Sequence, residues 1–280
     1  MYLASPTVIK NIAAKYGFTF KKGLGQNFLT SKEILERIAE SAEIEYGAIE
    51  IGPGFGVLTD ELAERAEKVV ALEIDERLIP VLKDTMSDHD NIKVINADVM
   101  KTDMAKLIEE EFGEKPVSIA ANLPYYITTP IITMLLESRL PVKNIVVMVQ
   151  KEVAERISAA PGSKDYGALT VMCRYFTRPE LVCVVPASLF VPQPKVDSAV
   201  LRLRVLDKPS VEVSDEKLFF RTVKAAFSQR RKTLLNCLAA NFPHGKAALT
   251  DILESLGIDP RRRGETLSIA EFAELSEKLR

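Results

Sequence analysis

Between residues 47 and 206 short apolar runs alternate with helical patterns, and that rhythm limits the fold more than any other feature of the chain. The runs are AIEIG (48–52), KVVALEI (68–74), IKVINA (92–97), VSIAA (117–121), NIVVMV (144–149), LVCVV (181–185) and VDSAVLRLRV (196–205). Segments such as LTDELAERA (58–66) and ERLIPVLKDTM (76–86) carry the helical period between them. Runs that are apolar on both faces belong to strands covered on both sides, and a strand–helix–strand order is what a parallel sheet requires. The last run is longer and alternates in polarity, as an antiparallel strand near one edge would. The class expected is α/β.

Past LDKPS (206–210) only helical periodicity remains, in DEKLFFRTVKAAF, KTLLNCLAANF, KAALTDILESLG and SIAEFAELSEKL. Ser268 with Glu271 forms a capping box for the last of these, and Thr30 with Glu33 can form one further upstream. The chain is therefore expected to divide into an α/β domain over 1–207 and a small all-helical domain over 208–280. At 280 residues it is long enough for both.

Composition narrows the setting. No apolar run approaches the roughly 20 residues that cross a bilayer, and the first residues lack the pattern of an export signal. Cys173, Cys183 and Cys237 form no CxxC pair, which points to a reducing compartment, the cytoplasm, and away from a cysteine metal site. His89 and His244 both fall in turn-like stretches, so neither reads as a catalytic base, and no metal is expected. Residues 31–120 carry 22 acidic against 10 basic side chains, whereas 221–263 carry 9 basic against 3 acidic. The second cluster reads either as a solvated helix face or as a landing surface for a polyanion.

Three strand ends carry chemistry. EIGPGFG (50–56) closes the first run before a helix, and Gly52, Gly54 and Gly56 let the backbone turn tightly and approach a ligand. Glu73, 21 residues after Gly52, ends the next run where a carboxylate can accept from both hydroxyls of a ribose. A dinucleotide fingerprint needs a third Gly where Val57 stands, so that match fails. The spacing E-x-G-x-G-x-G instead looks like the methyl-donor loop of S-adenosylmethionine-dependent methyltransferases, with a Rossmann-like sheet. Asp98, ending the third run, can accept from an adenine amino group or merely cap the next turn.

NLPYYITTP (122–130) ends the fourth run, beside the same crevice. An exocyclic amino group is a poor nucleophile because its lone pair is delocalised into the ring. The side-chain oxygen of Asn122 and the carbonyl of Leu123 can accept from its hydrogens, with Pro124 fixing the turn. Tyr125 can then stack on the base, a contact worth about 1–3 kcal/mol. Tyr126 receives no role.

Together EIGPGFG, ALEID, NAD and NLPYYI resemble the ribosomal RNA adenine N6-dimethyltransferases. KKGLGQNFL (21–29), FVPQPKVDSAVLRL (190–203) and FSQRRKTLLNCL (227–238) match further signatures of that family, so the resemblance spans about residues 20–275. It implies a donor site of Asn27, Leu29, Gly52, Gly54, Glu73, Asp98 and Asn122. It also implies Phe190 as a second aromatic clamp on the base, with Arg230, Arg231 and Lys232 on RNA phosphates; RRR (261–263) takes the same reading.

AFSQRRKTLLNCL and the helical tail resemble the bacterial small-subunit branch. That branch implies transfer of four methyl groups to two adjacent adenosines in the hairpin loop near the 3′ end of 16S ribosomal RNA. The implied substrate is the immature small subunit, and the enzyme is expected to be a monomer without a membrane partner. Two alternatives stand beside it. A DNA adenine methyltransferase usually has D/N-P-P-Y/F rather than N-L-P-Y, and a non-enzymatic assembly factor would not need an intact donor site.

Overall fold

The computed structural model describes residues 3–19 and 26–280. Residues 21–25 of the KKGLGQNFL motif lie outside them. Contacts divide the chain into two units, Met1–Ala154 with Pro179–Val205, and Glu155–Arg178 with Leu206–Arg280.

The first unit opens with α1 (Pro6–Lys15), the two-residue strand β1 (Phe28–Leu29) and α2 (Lys32–Ser41). Strands and helices then alternate as β2 (Gly47–Ile51), α3 (Val57–Ala63), β3 (Lys68–Glu73), α4 (Ile79–Thr85), β4 (Ile92–Asn96), α5 (Met104–Phe112), β5 (Val117–Asn122), α6 (Thr128–Glu137) and β6 (Val142–Gln150). After α7 (Lys151–Ser158) and α8 (Ala168–Phe176), the chain adds β7 (Thr177–Val185), β8 (Phe190–Val191) and β9 (Ser198–Val205). Every residue of β2 is buried, and β3 is buried from Val69 onward, as strands clad by helices on both faces must be.

Among the described residues the main sheet has seven strands in the order β4-β3-β2-β5-β6-β9-β7. Pairs β2–β3, β3–β4, β2–β5 and β5–β6 are parallel, and β6–β9 is antiparallel. The chain builds outward from β2 to β4, then returns to add β5 on the other side of β2. That reversal opens a crevice beyond the carboxyl ends of β2 and β5, where open α/β sheets bind ligands. β9 sits one place in from the edge, with β7 outside it. Its residues 198–201 are accordingly all buried, and the alternation expected from sequence begins only at Arg202.

A second, two-stranded ribbon pairs β1 with β8, Phe28 opposite Val191 and Leu29 opposite Phe190. It consumes Thr30, whose N–H and hydroxyl both donate to Leu189 O at 2.8 Å. The capping expected of Thr30 therefore falls to Ser31, whose side chain accepts from Ile34 N.

The second unit adds α9 (Glu216–Ala226), α10 (Leu234–Ala239), α11 (Lys246–Ser255) and α12 (Ile269–Lys278). Ser268 and Glu271 form the capping box at the head of α12. A single cut at 207/208 does not describe the division, because 155–178 joins the helical unit. The reason is aromatic. Tyr175 of α8 stacks on Phe219 of α9 at 5.0 Å, Phe176 stacks on Phe220 at 5.7 Å, and the Tyr175 hydroxyl donates to Glu216. An apolar stripe on α8 that fits a helical partner is indistinguishable, by period alone, from one that fits a sheet.

Gly264 is the most confined glycine described in this unit, since a Cβ there would lie 2.6 Å from Ala226 O. Backbone cannot swing aside as a side chain can. Gly264→Ala is expected to cost about 1–3 kcal/mol, read as a lower midpoint in chemical denaturation.

Candidate active site

The loop after β2 runs through positive φ at Gly52 (72°) and Gly54 (62°), a conformation that side chains rarely adopt. At Gly54 space matters as well, since a Cβ would meet the Phe28 ring at 2.6 Å. The loop is held from β3. Gly52 N donates to Leu72 O at 2.9 Å, and Gly54 N donates to Glu73 Oε2 at 3.1 Å. Asp75 N donates to the other carboxylate oxygen, Glu73 Oε1, at 2.8 Å. Glu73 is only 4% exposed, and burial pushes its carboxyl up while those backbone donors pull it back. A carboxylate has about four acceptor sites, more than these backbone donors fill, so acceptance from a ligand hydroxyl remains open.

Across the switch point, Asn122 ends β5. Its Nδ2 donates to the backbone carbonyl of Asn27 at 3.1 Å. A carbonyl can only accept, so this bond fixes which end of the amide faces Asn27 and leaves Oδ1 as the end available to the crevice. Leu123 is anchored by its N–H on Met148 O at 3.2 Å, and Pro124 O accepts from Ile127 N and from the Thr128 hydroxyl. Tyr125 is half-buried, with its hydroxyl 2.7 Å from Ser198 Oγ. Burial pushes the phenol's pKa up.

One crevice is lined by Asn27, Leu29, Gly52, Gly54, Glu73, Asn122, Leu123, Pro124 and Tyr125 together. Asp98 does not line it. It sits at the end of β4, where it caps the turn 99–101 by accepting from Met100 N at 3.0 Å. Phe190 is not on the wall either. It is 3% exposed and packs in the core with Leu29, because the β1–β8 register turns both inward. Tyr126, given no role, is 59% exposed and edges the same crevice.

Arg230, Arg231 and Lys232 are exposed in the helical unit, with Arg230 donating to Lys164 O. RRR is not a uniform charge run. Arg262 is engaged by Glu271 and Thr266 O, and Arg261 pairs with Asp259 at 2.8 Å.

Sequence reasoning passed over Glu50, the acidic residue that opens EIGPGFG. It lines the crevice, is 1% exposed, and its Oε2 has no hydrogen-bond partner. Burial pushes its pKa up to about 8, with Glu73 adding to the rise and Thr59 opposing it. The signal was there, as a charged residue inside an otherwise apolar strand. Gln26 and Ile74 also line the crevice without a sequence signature of their own.

A switch-point crevice with a glycine loop pinned to a strand-end carboxylate, facing an amide-bearing turn, defines a Rossmann-like methyltransferase. A crystallised dimethyladenosine transferase from Plasmodium falciparum shares the fold with TM-score 0.74 at 30% identity, covering 88% of this chain and 95% of that one. The crystal structure of 23S rRNA methyltransferase ErmE matches with TM-score 0.68 at 31% identity, covering 90% and 99%. The chain belongs to the ribosomal RNA adenine dimethylase family, whose model matches residues 17–279. Ribosomal RNA small subunit methyltransferase A of Geobacillus thermodenitrificans is 56% identical over 283 residues, covering 99% of this chain and 97% of that protein. Its namesake in Bacillus cytotoxicus is 55% identical with the same coverage.

Buried Glu50 is expected to make the ligand-free protein sensitive to pH. Its folded-state pKa of about 8 lies above the ordinary carboxyl value of 4.5, so its burial is least costly below that lower value. The cost grows as pH rises towards 8. Glu50→Gln is expected to leave the melting temperature unchanged near pH 4.5 and to raise it progressively up to about pH 8, as differential scanning fluorimetry without ligand would detect.

Proposed function

We propose that this enzyme dimethylates N6 of two adjacent adenosines in the 3′-terminal hairpin loop of 16S ribosomal RNA, within the immature small subunit. It acts as a monomer in the cytoplasm and draws its methyl groups from S-adenosylmethionine. The observation that carries the chemistry is the Asn122–Asn27 bond, which reserves the Asn122 side-chain oxygen as an acceptor beside the crevice. The choice of the small subunit is supported by the relatives' names and by their coverage of nearly the whole chain.

The donor fits these residues. Glu73 offers lone pairs to the ribose, the positive-φ glycines bring backbone close, and Leu29 supplies apolar wall. Asp98 lies outside the crevice wall but at the adjacent strand end, and the carboxylate oxygen that does not cap the turn is the acceptor for the donor's adenine amino group. Burial raises the pKa of both Glu50 and Glu73, so a cation in the crevice offsets the cost of ionising them. S-adenosylmethionine, when bound, supplies an electrophilic methyl group on a sulfonium.

Asn122 Oδ1 and the Leu123 carbonyl accept from the amino hydrogens of the target adenine. Accepting both draws the nitrogen lone pair out of the ring and makes N6 a nucleophile. Pro124 fixes the turn that holds the two acceptors, and Tyr125 lays its ring against the base. Alkylation leaves N6 with a proton acidic enough to pass to water, so the step asks for no strong base. Arg230, Arg231 and Lys232 take RNA phosphates, a role suited to exposed cations.

The test is to incubate the protein with undermethylated small subunits and labelled donor, then map N6,N6-dimethyladenosine along the 16S RNA. Label confined to two adjacent adenosines of the 3′-terminal loop is expected; label elsewhere, or none, refutes the reading. In the same assay Asn122→Ala should lower turnover by about 10²–10³-fold, the cost of removing one preorganised transition-state partner. Donor binding, followed by calorimetry, should remain detectable.

A further inference from the structure

The PQPKVDSAV run (192–200) leads into β9, yet nothing above gives it a task. Ser198 is fully buried, and its Oγ lies 2.7 Å from the Tyr125 hydroxyl. The serine itself stands on a rigid post. It pairs with Gln150 in the β6–β9 register. Its neighbour Asp197 accepts from Lys151 N at 3.0 Å through its carbonyl and from Ala187 N at 2.9 Å through its side chain.

Tyr125, by contrast, stands on a turn. Its backbone is set by Pro124, but a ring joined only at Cβ can still swing about χ1. A bond at the far end of the ring removes that swing, and because a phenol hydroxyl bonds best in the plane of its ring, it also restrains rotation about the ring's long axis. Each hydroxyl also gives the other a partner, and a buried hydroxyl without one is costly.

We propose that Ser198 is a positioning residue that tethers the Tyr125 hydroxyl and so holds the ring face in place for the target adenine through both methyl transfers. The proposal rests on the reading of Tyr125 as the stacking face. The second transfer depends on the tether more than the first. Once methylated, N6 keeps a single hydrogen, so one of its two acceptors loses its partner and the stacked face carries more of the orientation. Loss of the tether should therefore stall the reaction at the monomethyl stage.

The experiment compares Ser198→Ala, Tyr125→Phe, the double variant and Tyr125→Ala on undermethylated small subunits. It reads kcat, the KM for S-adenosylmethionine and the ratio of mono- to dimethyladenosine by mass spectrometry. Ser198→Ala and Tyr125→Phe are each expected to lower kcat about tenfold, the effect of one buried hydrogen bond, with the donor KM unchanged and monomethyladenosine accumulating. The double variant should be no slower than the slower single one, since both remove the same bond. Tyr125→Phe breaks the bond without altering β9, so a folding defect in Ser198→Ala does not blunt the test. Wild-type kcat and product ratio in Tyr125→Phe, or single losses that multiply in the double, overturn the proposal alone. Full turnover in Tyr125→Ala overturns the stacking reading and the proposal with it.

Discussion

The Glu73 carboxylate accepts one backbone N–H from Gly54 and another from Asp75, and the crevice depends on that pair of bonds. A loop built from positive-φ glycines has few side chains with which to hold itself. Fixing it from the next strand solves this, because a carboxylate accepts strongly from backbone donors and its own strand is locked in the sheet. The same two bonds offset part of the cost of burying the charge. Asp75 extends the arrangement. Arg77 holds its carboxyl below the usual range, and Gln26 donates to it at 3.2 Å, so the entry to β1 is tied to the same strand end.

The opposite wall is held by three consecutive residues that point different ways. Asn27 offers its carbonyl to Asn122, Phe28 stacks on Phe55 at 4.3 Å against Gly54, and Leu29 enters the core. The strand β1 and the residue before it thus touch the loop after β2 and the end of β5 together. The glycine at 54 has two reasons to be there, its dihedral angle and the Phe28 ring. Only the first has anything to do with a ligand.

Most of this was legible where the sequence states a local rule. The apolar runs gave the sheet because strands covered on both faces are built mostly from apolar residues. EIGPGFG and NLPYYI announced themselves by residues that do not help a strand. What stayed hidden depends on contacts across sequence. Two-residue strands have no period, so the β1–β8 ribbon was invisible, and with it the inward turn of Phe190 and the use of Thr30. Residues 155–178 join the helical unit through Tyr175 and Phe176, and nothing local distinguishes a stripe that packs on α9 from one that packs on a strand. Glu50 was read as part of a motif rather than as a buried carboxyl lacking a partner for one oxygen.

Charge shows the same gap most plainly. Counted along the chain, QRRK and RRR offer six cations within 229–263, all equally suited to phosphate. In the folded unit they are not equal. Arg262 is engaged by Glu271 and Thr266, and Arg261 by Asp259, whose carboxyl it holds at about 2. Transferring either guanidinium to a phosphate would first break an internal pair, so the gain would be a difference of two similar terms. Arg231, Lys232 and Arg263 have no side-chain bond among those described, so no internal bond has to be broken first. On the proposed reading, phosphate contact therefore falls first to these three, to Arg230 once it releases the Lys164 carbonyl, and last to Arg261 and Arg262.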